Sequence, residues 1–227
     1  MCIRDRNDVS INAKNMFFSV QDVSLKGIVP GDQNRRTGLR LNSSREFGKF
    51  KIGIGVNYIR SKYEIFDDVG MANYNAGNNV GLNSGLLNLI FNTPAQVPLT
   101  NYKNWKNDPF SGFDTYFNHY GLNPYMAIDT WREFGLKNEI LANLELNYNM
   151  FKGLNFTWRI ASNVRNQDVK SISTGQIANA AINVNTNTTI PGYVSENSIR
   201  ANRISSEFFG TYTKAVGNFT VNALAGT

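Results

Sequence analysis

The chain has 227 residues, 41% of them hydrophobic, with a mean hydropathy of −0.33 and a formal net charge of +6. No stretch approaches the roughly 20 consecutive apolar residues of a membrane-spanning helix, a test that does not reach a β-barrel because its alternate residues are polar. Beyond Arg35-Arg36 the basic residues are scattered, so the charge describes a solvated or anionic-lipid-facing surface and not a nucleic-acid interface.

Met1-Cys2-Ile3-Arg4-Asp5-Arg6 lacks the apolar segment of a signal peptide and resembles the translation of a sequencing-library adapter. Residues 1–6 are therefore expected to be an artefact joined to a gene fragment that starts at residue 7. They hold the only cysteine, so disulfide and Cys-x-x-Cys chemistry goes with them.

Period-two alternation predicts eight strands, at 8–13, 16–28, 35–44, 49–64, 137–149, 154–168, 199–213 and 219–226. The fourth is the clearest: Phe50, Ile52, Ile54, Val56 and Tyr58 alternate with Lys49, Lys51, Gly53, Gly55 and Asn57. Leu144, Leu146 and Tyr148 repeat the pattern, as do Leu154, Phe156, Trp158 and Ile160, then Phe219 and Val221. Phe208 and Phe209 are adjacent, so one of them must leave the apolar face. Every second connection is short, which places tight turns at one end of the strands and long loops, 65–136 and 169–198 among them, at the other. A soluble sandwich gives no reason for that sorting; an outer-membrane barrel does. Phe50 to Tyr58 spans about 26 Å along the strand, or roughly 20 Å once tilted, close to the apolar band of such barrels. Aromatic residues at the short-turn end (Phe50, Tyr148, Phe156, Tyr212 and Phe219) fit an interfacial girdle.

The sequence is rich in asparagine, with 33 residues, as expected for much loop and turn. Within the longest loop, GLLNLIFN (85–92) predicts a short helix packed down by Leu86, Leu87, Ile90 and Phe91. Nine aromatic residues fall between Asn101 and Trp131, where the average composition gives about four, which predicts a small core folding the loop onto the barrel rim. Trp105, Tyr116, Tyr125 and Trp131 are the candidate ligand contacts, because flat rings stack on sugar faces.

Catalytic and metal chemistry find no support. His119 is the single histidine, Asp114 lies five residues away, and no second His or usable Cys completes a zinc site. No G-x-S-x-G elbow exists, and Gly53-Ile54-Gly55 belongs to a strand and not to a phosphate loop. Asp67-Asp68 read as solvated loop carboxylates rather than a calcium site. No enzyme activity, cofactor or metal is expected.

Four segments in order, RRTGLRLNSSREFGKFKIGIGVNYIRSKYE (35–64), LIFNTPAQVPLTNYKNW (89–105), NPYMAIDTWR (123–132) and LANLELNYNMFKGLNFTWRIASNV (141–164), resemble the barrel region of SusC/RagA-type TonB-dependent outer-membrane transporters of Bacteroidota. The resemblance implies an all-β fold: about eight strands of a large antiparallel transmembrane barrel of about 22 strands, with short periplasmic turns and long extracellular loops. It implies import of an oligosaccharide or peptide, a SusD-like surface lipoprotein, coupling to the TonB complex through a segment outside this chain, and location in the bacterial outer membrane. Phe50, Ile52, Ile54, Val56, Tyr58, Leu144, Leu146, Tyr148, Leu154, Phe156, Trp158, Ile160, Phe219 and Val221 would then face outer-membrane lipid. The competing expectations are a siderophore receptor, a complete eight-stranded barrel with a surface-binding or adhesion role, and a soluble β-sandwich.

Overall fold

The computed structural model describes residues 3–71, 85–177, 179, 190 and 192–227, without the side chains of 3 and 117–120. Eight strands form one antiparallel sheet in chain order. They are β1 (Ile3–Ala13), β2 (Met16–Lys26), β3 (Gln33–Phe47), β4 (Phe50–Phe66), β5 (Trp131–Phe151), β6 (Leu154–Ser173), β7 (Tyr193–Val216) and β8 (Phe219–Gly226). Ile3–Arg6, expected to lie outside the natural chain, run along Lys26–Val23 of β2 as part of β1.

Each short connection is two residues: Lys14-Asn15 as expected, and Gly48-Lys49, Lys152-Gly153 and Gly217-Asn218 where four or five residues were expected. Two-residue hairpins need turn residues that tolerate positive φ, and Gly48 (φ 59°), Gly153 (φ 95°) and Gly217 (φ 58°) supply it in three of the four. Because the strands run strictly up and down, all four turns lie at one end. The connections 27–32, 67–130 and 174–192 lie at the other, the loop end.

At the loop end the strands outrun their sequence-based limits: β5 begins at Trp131 and not at 137, β6 continues to Ser173, and β7 begins at Tyr193. The ladder persists there, although polar and apolar residues mix on each face and the alternation fades. Among the described residues β1 pairs only with β2 and β8 only with β7, so the sheet is open and does not close as an eight-stranded barrel.

The buried apolar cluster belongs to the loop end and not to the middle of the sheet. The 67–130 connection carries α1 (Leu86–Asn92), a 3-10 turn at Leu99–Tyr102, α2 (Phe113–Tyr120) and α3 (Pro124–Thr130). Leu89, Leu122, Met126 and Ala127 from these segments bury themselves with Met71, Trp131 and Ile190. Asn123 starts α3: its Oδ1 accepts from the Tyr125 amide at 3.0 Å, and its Nδ2 donates to the Ser111 and Tyr102 carbonyls at 2.8 and 2.9 Å. The helix expected at 85–92 exists, but it packs through another stripe. Leu89 is buried and Leu86 lies against the cluster, whereas Leu87 (68%) and Phe91 (76%) are exposed.

Candidate functional site

Cross-strand partners in an antiparallel sheet project to the same face, so the register decides which side chains meet. Phe50, Tyr148 and Phe156 form one row across β4, β5 and β6; Ile52, Leu146 and Trp158 form the next, and Ile54, Leu144 and Ile160 the third. Val56 and Tyr58 carry the band to Leu41 and Leu39 of β3, then to Phe18 and Val20 of β2. Leu154 opposes Tyr212, which opposes Ala223, and this puts Phe219 and Val221 on the same side. All the residues read from the sequence as lipid-facing thus share one face.

That face is uncovered. Phe50, Ile54, Trp158, Phe219 and Val221 are 42–77% exposed, and none of the others is buried. A β-sandwich would bury Ile52, Leu144 and Phe156 against a second sheet; among the described residues no such layer exists. Toward the turn end, rings meet across strands: Phe50 stacks on Tyr148 at 4.6 Å between centroids, and Phe156 lies parallel to Phe208 at 6.0 Å.

The opposite face is polar and internally bonded. Arg159 Nε pairs with Glu145 at 2.7 Å, Asn147 donates to Glu145 at 2.7 Å, and the Thr157 hydroxyl donates to Asn147 at 2.7 Å. The adjacent phenylalanines divide between the faces. Phe208 joins the apolar side, and Phe209 sits on the polar side beneath the Arg159 guanidinium, 5.1 Å from its ring centroid.

At the loop end the polar face passes into the helical cap. Trp131, the first residue of β5, packs its ring 5.3 Å from Tyr193, the first residue of β7. Tyr193 donates its hydroxyl to Asp67 Oδ2 at 2.9 Å, and the Gly70 amide donates to Asp67 Oδ1 at 2.8 Å. Asp67, expected to be solvated, is therefore buried and committed, while Asp68 accepts from the Leu86 amide at 2.7 Å. Among the described residues no cluster of three or more His, Cys, Asp or Glu side chains could hold a metal.

The four aromatic candidates divide into two sets. Tyr116 and Trp131 are each 1% exposed; Tyr116 shares a 2.6 Å hydroxyl contact with Thr93, and both rings are part of the cap's interior. Trp105 and Tyr125 are half-buried and keep accessible surface. Trp105 Nε1 donates to Asp129 at 2.9 Å, with Lys106 Nζ 5.2 Å from its ring centroid. Phe117, His119 and Tyr120 lie in α2, and their side chains fall outside the described residues.

Arg132 was not singled out by sequence, because nothing local distinguishes it from other strand arginines. Its side chain is 8% exposed and meets three groups on two segments: Asp32 at 3.1 Å and the Gly31 carbonyl at 2.8 Å in the 27–32 loop, and Glu64 of β4 at 3.4 Å. Asp32 also accepts from the Phe66 amide at 2.7 Å. The 27–32 loop is thereby fastened to β4 and β5.

No protein-family model and no curated protein matches the chain. Among solved structures, the RagAB peptide transporter aligns with 98% of this chain and 24% of its own, at 14% identity and a TM-score of 0.60. The RagAB peptide importer in the "closed-closed" state aligns with 98% of this chain and 23% of its own, at 13% identity and a TM-score of 0.59. The ferric-catecholate import receptor Fiu from E. coli K12, in its open form, reaches only 0.45 at 11% identity, over 99% and 34% of the two chains, which is too low to bear on the fold. The chain spans about a quarter of the length of the RagAB structures. Within that span it is an all-β stretch of a large antiparallel barrel, with the fold of the corresponding part of RagAB.

Proposed function

We propose that this chain supplies barrel wall and extracellular loops to a TonB-dependent outer-membrane importer of the SusC/RagA type from a member of the Bacteroidota. One observation carries the reading: an uncovered apolar face runs across the strands, opposite a hydrogen-bonded polar face, with every tight turn at one end. Such a sheet is unstable in water, where its band stays exposed, and natural in a bilayer, where acyl chains cover the band and the polar face lines a lumen. The fold likeness to RagAB supports the same reading. The role is transport and not catalysis.

On this reading residues 7–227 belong to the barrel and residues 1–6 derive from the adapter. The open edges of β1 and β8 pair with further strands of the complete wall, since unpaired edges do not persist in lipid. The cargo is an oligosaccharide or a peptide, captured on the loop side under a SusD-like lipoprotein and drawn through by the TonB complex. Trp105 and Tyr125 offer ring surface to it, and Tyr116 and Trp131 hold them in place from the cap interior.

The intact gene product tests this. It should fractionate with outer membrane, require detergent for extraction, and migrate as a heat-modifiable band. Uptake of labelled oligosaccharide or peptide should stop when TonB is removed. Recovery in the aqueous fraction without detergent overturns the membrane assignment. Uptake of a ferric siderophore alone reassigns the cargo.

A further inference from the structure

The polar face treats its cations in two ways. On β4 to β6 each has an acidic neighbour: Lys51 pairs with Glu46 at 3.1 Å, Lys137 with Glu139 at 2.8 Å and Arg159 with Glu145 at 2.7 Å, while Arg165 stands opposite Glu139 in the ladder. Arg36 and Arg40 of β3 are exposed on the same face and differ: among the described residues neither forms an ion pair. Apart from Glu46 at the turn end, already held by Lys51, the strands β2, β3 and β4 bring no carboxylate to this face.

Gly38 lies midway between the two arginines on β3, whose Cα atoms are about 13 Å apart. A Cβ added at Gly38 would meet nothing closer than Gln21 Cβ at 4.0 Å, which leaves a gap over bare backbone between two cations. Hydrogen-bonding side chains rim the gap: Gln21 beside Gly38, Ser61 beside Arg36 and Asn57 beside Arg40. Asn42 Oδ1 accepts from Arg40 Nε at 3.1 Å, in the amide orientation that also lets its Nδ2 donate to the Leu41 carbonyl. That contact steadies the guanidinium and leaves its terminal N–H groups for another acceptor. Two guanidinium forks on either side of such a gap match a planar carboxylate, which takes paired N–H donors from arginine.

We propose that Arg36 and Arg40 form a carboxylate subsite over Gly38 on the wall of the transport lumen, so that the importer prefers an acidic cargo to a neutral one. The inference rests on the importer reading above and adds a chemical requirement to its cargo. The recognised group is the carboxylate; a uronic acid of an oligosaccharide or an acidic side chain of a peptide supplies it. The uncompensated charge draws that group in from the loop end, and the two forks hold it beside amide and hydroxyl groups that suit either backbone.

The test titrates the intact protein, purified in detergent, by calorimetry with two matched pairs of probes. One pair is a galacturonic acid disaccharide and its neutral galactose counterpart; the other is a tetrapeptide with two glutamates and the same peptide with two glutamines. Wild type should bind the acidic member of at least one pair about tenfold more tightly, the lower end for hydrogen bonds to a charged group. The pair that responds names the source of the carboxylate. R36Q/R40Q should lose the preference, and R45Q, which removes a cation from the opposite face of β3, should keep it. Gly38→Val keeps both arginines and suits a strand, yet it fills the gap, so it should lose the preference too; it carries the test alone if the double variant fails to assemble. No preference for an acidic probe in wild type overturns the subsite, as does a preference that either R36Q/R40Q or G38V leaves intact. Membrane fractionation of each sample separates the two failures. An embedded barrel indifferent to probe charge sinks only the subsite, and a protein that never enters the membrane sinks both.

Discussion

The Tyr193 hydroxyl donates to Asp67 across 126 residues of sequence, at 2.9 Å. This bond ties the start of β7 to the start of the 67–130 connection, beside the ring contact of Tyr193 with Trp131. Tyr193→Phe keeps the ring and removes the bond, leaving a buried carboxylate oxygen short of a donor. The expected loss is about 1.5–3 kcal/mol of cap stability. Limited proteolysis of the assembled barrel should show faster cleavage within 67–130, with the strands untouched. Trp131→Ala should cost more, about 3–5 kcal/mol, because it opens a cavity in the same cluster.

The two faces of β5 make opposite demands. On the proposed membrane reading, Leu146→Arg places a charge on the apolar band, at a cost of about 2–4 kcal/mol near mid-membrane. Asn147→Arg points to the polar face beside Glu145, where a cation finds a partner. The heat-modifiable band of the intact protein should fall sharply for L146R and persist for N147R. Equal damage from both would remove the assignment of the faces.

Most of the sheet was legible because each apolar-face residue reports its own orientation: Ile52, Leu144 and Trp158 each sit between polar neighbours. That signal ends where the band ends. Arg132 to Leu136 and Val169 to Ser173 stay in the ladder, but their faces no longer differ in polarity, so the strands looked shorter than they are. The cap was legible as an aromatic surplus and not as geometry. Leu87 and Phe91 looked as suited to packing as Leu86 and Leu89, and only the tertiary position of α1 selects between the two stripes. The Asp67 and Arg132 contacts join residues far apart in the chain, which no local pattern encodes.

Asp108 gives the cap a pH dependence. The Ser111 hydroxyl and the Phe110 amide both donate to its carboxylate and hold its pKa below the ordinary value of 3.8. A carboxyl with a depressed folded-state pKa stabilises the fold well above pH 3.8, and the contribution fades as the pH falls through the lower folded value. Amide hydrogen exchange over residues 104–111, corrected for intrinsic rates, should therefore quicken below that point in wild type. Asp108→Asn should abolish the pH dependence. The same acid response in both proteins would show that another group controls this turn.

Arg132 and Asp32 allow a double-mutant cycle. Arg132→Met strands two carboxylates, Asp32 and Glu64, in a partly buried site, with an expected cost of about 3–5 kcal/mol. Asp32→Asn keeps an oxygen for the Phe66 amide and loses only the charge. The R132M/D32N pair should recover part of the single-variant loss, because one stranded charge is gone. Chemical unfolding of the reconstituted barrel measures the coupling. Strict additivity would mean that the ion pair does not hold the 27–32 loop.

The two-residue turns separate backbone strain from steric exclusion. Gly48 has φ 59°, and a Cβ placed there meets nothing within 4 Å. Gly48→Ala should therefore cost only the left-handed conformation, about 1–2 kcal/mol. Gly153 has φ 95°, and its Cβ would fall 2.3 Å from the Thr213 carbonyl oxygen of the neighbouring strand. The Thr213 amide donates to the Gly153 carbonyl at 2.8 Å, so the two backbones cannot separate without losing that bond. Gly153→Ala should thus exceed the Gly48→Ala loss by at least the worth of one hydrogen bond, about 1 kcal/mol. Unfolding midpoints of the two variants decide it: equal losses would place the cost in φ alone and refute the close approach of β6–β7 at this turn.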